Sequence, residues 1–585
     1  MKFQCQLLII MLYFVGLFTS PIKAQQVYLS ATAKASIEPK AYPFSVALAG
    51  YGYPRGGRFS LDWIKTNMKV EKVFPPARKQ HLKWKKWIGN AIAFTIFKKI
   101  IYTADRNGTI IYTALEDRAP VWKKLPAVQG ITSLSAYKGR LFALTSDDEL
   151  LQLELGGKNR TWVRIARFNG LTYDIHLKAI TTLDGKLYGL DQNNVVFEGH
   201  HKTEGNLSVS AVAISAAKET VLLVGADVCG FNNDFIAEVK GEILKKHHIL
   251  PSAILINASH THFAPSTQDW TTWGAHQLPD SVYLNQVVKP ALINVIHTAI
   301  KNRKPSILSF GRAKTTIGKN RSLEGTAASY DDDVDVLTIE RKKDHKKTAI
   351  FLTGCHPVFK NEGIGGYTLS ANYPGITRNI LEKEAGITDA LFMQGCGGDI
   401  NPVSVDYKKT GNELATVVKG ILNAPMQQLT GNITFYLDSL NFPVKKWSDE
   451  RIQAFKTVND NGKGDVEAEK DVRWADLMLG LSKNNKVPVN MPVYIQTINI
   501  GNWKLVGLSR EAVTDYSIGI KQLWPGELVS VAGYCNDVSS YLPTSKHIQS
   551  ATYEGLGSFF WYGQPSVFPL DVYEKIISTI KTKNH

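Results

Sequence analysis

Three short β-type runs recur through the first third of this chain, and they constrain its fold more than any other feature. Lys99-Ile-Ile-Tyr-Thr-Ala104, Arg140-Leu-Phe-Ala-Leu-Thr145 and Lys186-Leu-Tyr-Gly-Leu-Asp191 are each followed by a polar turn and start at blade-like intervals. Trp122 and Trp162 follow the first two runs at similar distances. The stretch 62–204 therefore reads as an all-β, propeller-like repeat module. Three units are fewer than a closed propeller uses, so either a degenerate fourth unit completes it or the units form an open, packed insert. An irregular β-meander is the plainer alternative.

After residue 205 the texture changes. Val221-Leu-Leu-Val-Gly225 and Ala349-Ile-Phe-Leu-Thr353 read as buried strands, and they alternate with helical stretches at 291–301 and 413–422. The expected class is α/β, with mixed β-sheets covered by helices. A polar stretch at 456–471 reads as an exposed loop or helix, and 572–580 as an amphipathic closing helix. Ahead of the repeats, the glycine-dense 48–57 allows close backbone approach to a ligand or strand.

The first residues carry Met1-Lys2, an apolar run from Leu7 to Phe18, and Pro21-Ile-Lys-Ala24. This is the layout of an export signal cleaved after Ala24, which implies a secreted or periplasmic protein. No later stretch reaches the roughly 20 apolar residues of a membrane span. Cys5 precedes the apolar run, so no acyl anchor is expected. Cys229, Cys355, Cys396 and Cys535 are too sparse for a disulfide scaffold and are either core thiols or one pair. The formal charge of +16 favours anionic surroundings such as lipid headgroups or acidic glycans, with nucleic acid least expected for an exported chain. The short basic clusters at 83–86, 245–246 and 341–347 read as solvated surface.

Five segments carry potential chemistry. Asn257-Ala-Ser-His260-Thr-His262 follows an apolar, strand-like Ala253-Ile-Leu-Ile256. On an extended backbone His260 and His262 would face the same way and look into one pocket. Two hydrogen-bonded histidines at a strand end are the ordinary alternative to a metal site. Leu352-Thr-Gly-Cys-His356-Pro357 sets an imidazole at the end of another apolar strand, where it must find a partner. Gln394-Gly-Cys-Gly-Gly-Asp399-Ile-Asn401-Pro402 is a glycine-rich turn bearing a carboxylate and an amide. Val506-Gly-Leu-Ser-Arg-Glu511 brings an acid to a strand-to-helix junction, and Tyr541 precedes a proline turn.

In this order the segments resemble the catalytic domain of the neutral/alkaline, non-lysosomal ceramidase family. The resemblance covers roughly 28–60 and 205–580. It divides the chain into a signal peptide, 1–24, a first catalytic segment, 25–61, the inserted module, 62–204, and the main catalytic part, 205–585. It implies one Zn2+ per chain held by His260, His356, Glu511 and Tyr541. It also implies an active-site histidine at His262 and an active-site arginine at Arg321, within Asn320-Arg321-Ser322. Tyr541 is matched through its Tyr-x-x-Thr pattern ahead of Tyr553-Glu554-Gly555. Two imidazoles, a carboxylate and a phenolate would leave zinc with low net charge and room for water.

The departures from the family are equally specific. Family members carry a serine in Gly-Asp-x-Ser-Pro, whereas this chain reads Gly398-Asp399-Ile400-Asn401-Pro402. An amide cannot act as an acyl-accepting nucleophile, so attack by zinc-bound hydroxide is the natural substitute. Asn401 would then donate to a developing oxyanion, and Asp399 would position water or substrate. Ser404 is out of register. The β-repeat insert is a second departure, and the lack of a C-terminal immunoglobulin-like domain a third. The leading expectation is an exported zinc-dependent hydrolase acting on a ceramide-type lipid amide. A glycan- or glycolipid-directed hydrolase and a non-catalytic binding protein that keeps the fold are the alternatives.

Overall fold

The computed structural model describes residues 27–583, except 40–47, 50–60, 70–89, 117–119, 138, 156–159, 168–175, 185, 275–277, 360–367, 384–386 and 461–465. The proposed signal peptide, most of the glycine-dense run and the 83–86 basic cluster lie outside the described residues.

A nine-stranded mixed sheet forms the centre. Its order is Ile254–Ala258, Glu219–Ala226, Ser208–Ala216, Tyr28–Ser36, Lys304–Lys314, Asp333–Arg341, Lys347–Thr353, Ile387–Gln394, with Gln427–Gln428 beside Lys304–Lys314. Strand alternation sorts the side chains between two layers. Val212, Ile214, Leu337 and Ile339 face a second sheet, while Val209, Ala211, Val334 and Val336 face helices. The second sheet runs Ile433–Pro443, Asn490–Ile500, Trp503–Leu508, Leu528–Ala532, and helices Thr514–Lys521 and Val572–Lys583 cover its other face. The result is a helix–sheet–sheet–helix stack, in keeping with the α/β expectation. The stretch at 291–301 lies within helix Lys289–Lys301, and 413–422 within Tyr407–Asn423.

Two parallel pairs position the site. Glu219–Ala226 and Ile254–Ala258 run parallel and are linked by helix Asn233–His247; Lys347–Thr353 and Ile387–Gln394 do the same through Asn372–Leu381. The carboxyl ends of parallel strands are where α/β sheets gather ligand-facing loops. Here those ends are tied together. Asn257 Nδ2 donates to the Gln394 carbonyl (3.1 Å), and its Oδ1 accepts from the Gln394 amide (2.8 Å).

The module between Leu61 and His201 consists of three four-stranded antiparallel sheets. The three recurring runs fall on the second strand of each, Ile100–Asp105, Arg140–Thr145 and Lys186–Asp191. Leu61–Lys69 completes the third sheet by pairing with Val195–His201, which brings both ends of the module into one sheet. One cluster, with Tyr102, Ile110 and Leu141, joins the first sheet to the second, and another, with Phe142, Leu177 and Leu187, joins the second to the third. Among the described residues no such cluster joins the third to the first, and no closed ring is present. Arg140, braced by Glu154 within the module (3.1 Å), reaches Asp280 outside it (2.6 Å), and Ser281 donates to Glu154 (2.8 Å).

Cys229, Cys355, Cys396 and Cys535, the cysteines among the described residues, are free and buried, as core thiols. Among the described residues no helix is long and apolar enough to cross a membrane. Lys240, on Asn233–His247, is 4% exposed, and burial pulls its ammonium down to about 7 against a weak opposing influence from Cys535. Below pH 7 the ammonium is charged both folded and unfolded, and folding bears the full desolvation cost. Between pH 7 and the unfolded value near 10.4, the unfolded chain holds the extra proton, so stability rises with pH. Urea midpoints at pH 6.5 and 9 are expected to show a gain of about 2–3 kcal/mol in the parent that Lys240→Met lacks. Equal pH slopes in the two proteins would contradict this.

Candidate active site

The site forms where the strand ends meet the second sheet. Glycines permit the approach: a Cβ at Gly354 would lie 2.7 Å from the Cys396 carbonyl oxygen, and one at Gly398 only 2.6 Å from the Glu511 carbonyl oxygen. Larger residues would push the 395–402 turn off both neighbours. Two short ladders then set the register. Glu511–Ala512 pairs in parallel with Tyr541–Leu542, bringing Glu511 opposite Tyr541, and Gly318–Asn320 pairs with Ile400–Pro402, bringing Lys319 opposite Asn401.

The expected extended geometry of His260-Thr-His262 is corrected here. The strand ends at Ala258, and His260 adopts a left-handed backbone with φ of 61°. The chain has to turn back beneath the strand end, where the His260 amide donates to Val228 (3.0 Å) and the His262 amide to Pro357 (3.3 Å). Both rings nevertheless converge, with their Nε2 atoms 3.2 Å apart. Arg510, Tyr534 and Asn536 also have positive φ. Strained backbone of this kind tends to gather at functional sites.

His260, His356 and Glu511 are buried and share one focus. Glu511 Oε2 lies 3.0 Å from His260 Nε2 and 3.2 Å from His356 Nε2. Each ring is held from behind: His260 Nδ1 lies 2.6 Å from the Cys229 carbonyl, and His356 Nδ1 lies 2.6 Å from the Gly397 carbonyl and 3.2 Å from that of Ile400. Carbonyl acceptors keep a proton on Nδ1 and point Nε2 inward, the arrangement found behind metal-ligating histidines. The donor atoms of the three residues lie within 4.8 Å of one another, as a site able to hold a metal ion requires. A second such group, Cys229, His260 and His262, shares His260; a third, Asp331 to Asp333, is engaged with Lys314, Arg312 and Lys521.

Electrostatics follow from this packing. Burial resists ionisation of Glu511, but His260 and His356 outweigh it and hold the carboxyl well below its usual range. Burial opposes a charge on His260 too, yet Cys229 and Glu511 raise it to about 10. His356 falls to about 4 through burial and the Arg321 charge. His262 falls well below the ordinary histidine value through burial and the neighbouring imidazoles.

Arg321 is the hub of the other half. Its Nε donates to Glu554 (2.9 Å), its Nη1 to Asn401 Oδ1 (3.1 Å), and its Nη2 to the Gly398 carbonyl (2.9 Å) and the Tyr541 hydroxyl (3.0 Å). Guanidinium only donates, so the Asn401 oxygen must face it and the Asn401 NH2 must point elsewhere. Tyr541 stacks on His356 with ring centroids 6.4 Å apart, and burial raises its phenol well above the usual range while Arg321 pulls the other way.

Asp399 is held on the protein side by three donors. It is fully buried, and its oxygens take Asn320 Nδ2 (2.7 Å), the Thr514 amide (2.8 Å) and His547 Nε2 (3.3 Å). These three contacts anchor the turn that carries Asn401. Ser404 accepts from the Asp406 amide past the end of the turn. Several participants escaped sequence reading: Tyr562, whose hydroxyl donates to Glu511 Oε1, Glu554 as the partner of Arg321, His547 behind Asp399, and the Cys229 carbonyl. Only Glu554 had a signal, in the Tyr553-Glu554-Gly555 element.

No protein-family model matches the chain, and a search of curated proteins returned no match. Among solved structures it is similar to the neutral ceramidase from Pseudomonas aeruginosa, with TM-score 0.51 and 15% identity over 64% of this chain and 68% of that one. The chain has a neutral-ceramidase-like fold. A ceramidase complexed with C2 gives TM-score 0.50 at 14% identity, over 64% of this chain and 69% of that one. The resemblance carried by the ordered motifs is thus matched at the level of the fold.

Proposed function

We propose that the chain is an exported, zinc-dependent hydrolase that cleaves an N-acyl amide, with ceramide-type lipids as its substrate class. The observation that carries this reading is the convergence of His260, His356 and Glu511 on one point beside the Arg321–Asn401 pair. Two inward Nε2 atoms and an ionised carboxylate suit zinc, and Tyr541 adds a phenol whose anionic form Arg321 would stabilise. When bound, zinc lowers the pKa of water toward neutrality and polarises an acyl oxygen.

The protein's own groups supply the rest. Asn401 directs its NH2 donors, and Arg321 its charge, at the oxygen that turns negative as water adds to the acyl carbon. His262, neutral at physiological pH, takes a proton from the attacking water and returns one to the departing amine nitrogen. The C–N bond breaks, giving a fatty acid and an amine. Asp399 we assign to holding the turn that carries Asn401. The three-sheet module, 62–204, we assign to an insert beside the catalytic domain, whose segments are 25–61 and 205–585.

The lipid reading is preferred over a glycan one because, among the described residues, the tryptophan cluster packed against Tyr562 is buried and offers no platform, while Tyr553, 41% exposed beside Tyr541, is a single ring. Trp270, Trp273 and Trp561 are 3%, 9% and 8% exposed and pack on one another. Hydrolysis of a fluorescent N-acylsphingosine, abolished by a chelator and restored by zinc, is the expected result; chelator-insensitive cleavage, or none by zinc-loaded protein, would contradict the proposal. Asn401→Ala is expected to lower kcat/KM by about 10²-fold with little change in KM. A serine-directed covalent probe should not label the parent, and labelling at Ser404 would overturn the mechanism.

A further inference from the structure

Glu511 is fully buried and uses its two oxygens differently. Oε2 faces both imidazoles, while Oε1 accepts from the Tyr562 hydroxyl. We propose that Tyr562 is a positioning residue that keeps Glu511 a one-oxygen ligand and so preserves an open coordination position. This deepens the metal reading above and rests on it.

Two observations and one chemical requirement support the role. First, among the described residues no other hydroxyl or amide donates to Glu511 Oε1. Second, the hydroxyl is aimed by rigid packing. The Tyr562 ring stands edge-on to Trp270 and to Tyr541, each with centroids 5.9 Å away, and the Tyr562 amide closes the turn onto Ser558 (3.1 Å). Its neighbour Trp561 is itself packed on Trp273, so the segment has little freedom to swing. Third, the chemistry needs such a restraint. A carboxylate with a free second oxygen can rotate and bind a metal through both oxygens, filling the position that water or an acyl oxygen requires. A phenol proton on Oε1 removes that option and orients the carboxylate, as hydrogen bonds behind ligands do elsewhere.

The test is Tyr562→Phe in the full mature chain, which keeps the ring and deletes one hydroxyl. Zinc affinity, measured by competition with a chromophoric chelator, is expected to weaken by about 10- to 100-fold. The cobalt-substituted variant is expected to show weaker visible absorption, signalling a higher coordination number than the parent. The metal-free variant should keep the parent's circular dichroism and melt modestly lower, because a buried carboxylate loses one hydrogen bond; a merely structural role for the hydroxyl would predict that drop without a changed cobalt spectrum. Unchanged zinc affinity with an unchanged cobalt spectrum would overturn this proposal while leaving the metal site standing. Failure of the parent itself to bind zinc would remove both. If Tyr562→Phe does not fold, Trp270→Leu, which loosens the ring without touching the hydroxyl, is expected to weaken zinc binding in the same direction, and parent-like affinity there would count against the role.

Discussion

Purified His260→Ala and His356→Ala proteins should each emerge folded and nearly free of zinc, with affinity lowered by more than about 100-fold. Loss of a residue behind a ligand already costs 10- to 100-fold, so loss of a ligand costs more. Both imidazoles are held from behind by backbone carbonyls and meet the same carboxylate oxygen. Removing either leaves one imidazole with Glu511 and Tyr541, below the histidine content of common catalytic zinc sites. Circular dichroism should match the parent for both, with His260→Ala the less stable because position 260 has a left-handed backbone that alanine tolerates poorly. Metal content by mass spectrometry checks the result, and full zinc retention in both variants would refute the ligand assignment.

Arg321→Leu is expected to be the most damaging single change outside the metal ligands. Glu554 is 2% exposed, and Arg321 is its ion-pair partner at 2.9 Å. A buried charge that loses its partner costs about 3–5 kcal/mol, which denaturant midpoints will register. The same substitution frees the Asn401 oxygen and the Tyr541 hydroxyl, so kcat/KM should fall by about 10²- to 10³-fold. The two effects separate in Arg321→Leu/Glu554→Leu. Stability should return substantially because no uncompensated carboxylate remains, whereas activity should stay low. Recovery of both together would mean that Arg321 acts only through stability.

Much of the site was legible because its residues sit at strand ends whose apolar runs are local signals. His260, His356 and Glu511 each follow such a run. The β repeats were visible for the same reason, through the second strand of each sheet. What stayed hidden depends on pairings distant in sequence. Tyr562 reaches Glu511 across 51 positions and His547 reaches Asp399 across 148, with no periodicity to announce either contact. Leu61–Lys69 joining the third sheet is likewise a long-range pairing. The left-handed turn at His260 was missed because a histidine tolerates that backbone without the glycine that usually marks it. The three donors of Asp399 were likewise hidden, since they come from elements that precede and follow it in the chain.

The most direct measurement is the metal content of the purified mature protein, by mass spectrometry after dialysis against metal-free buffer. About one zinc per chain is expected, with removal by chelator and return of the same stoichiometry on adding zinc. A protein that carries no zinc as purified and takes up none when zinc is supplied would contradict the central claim.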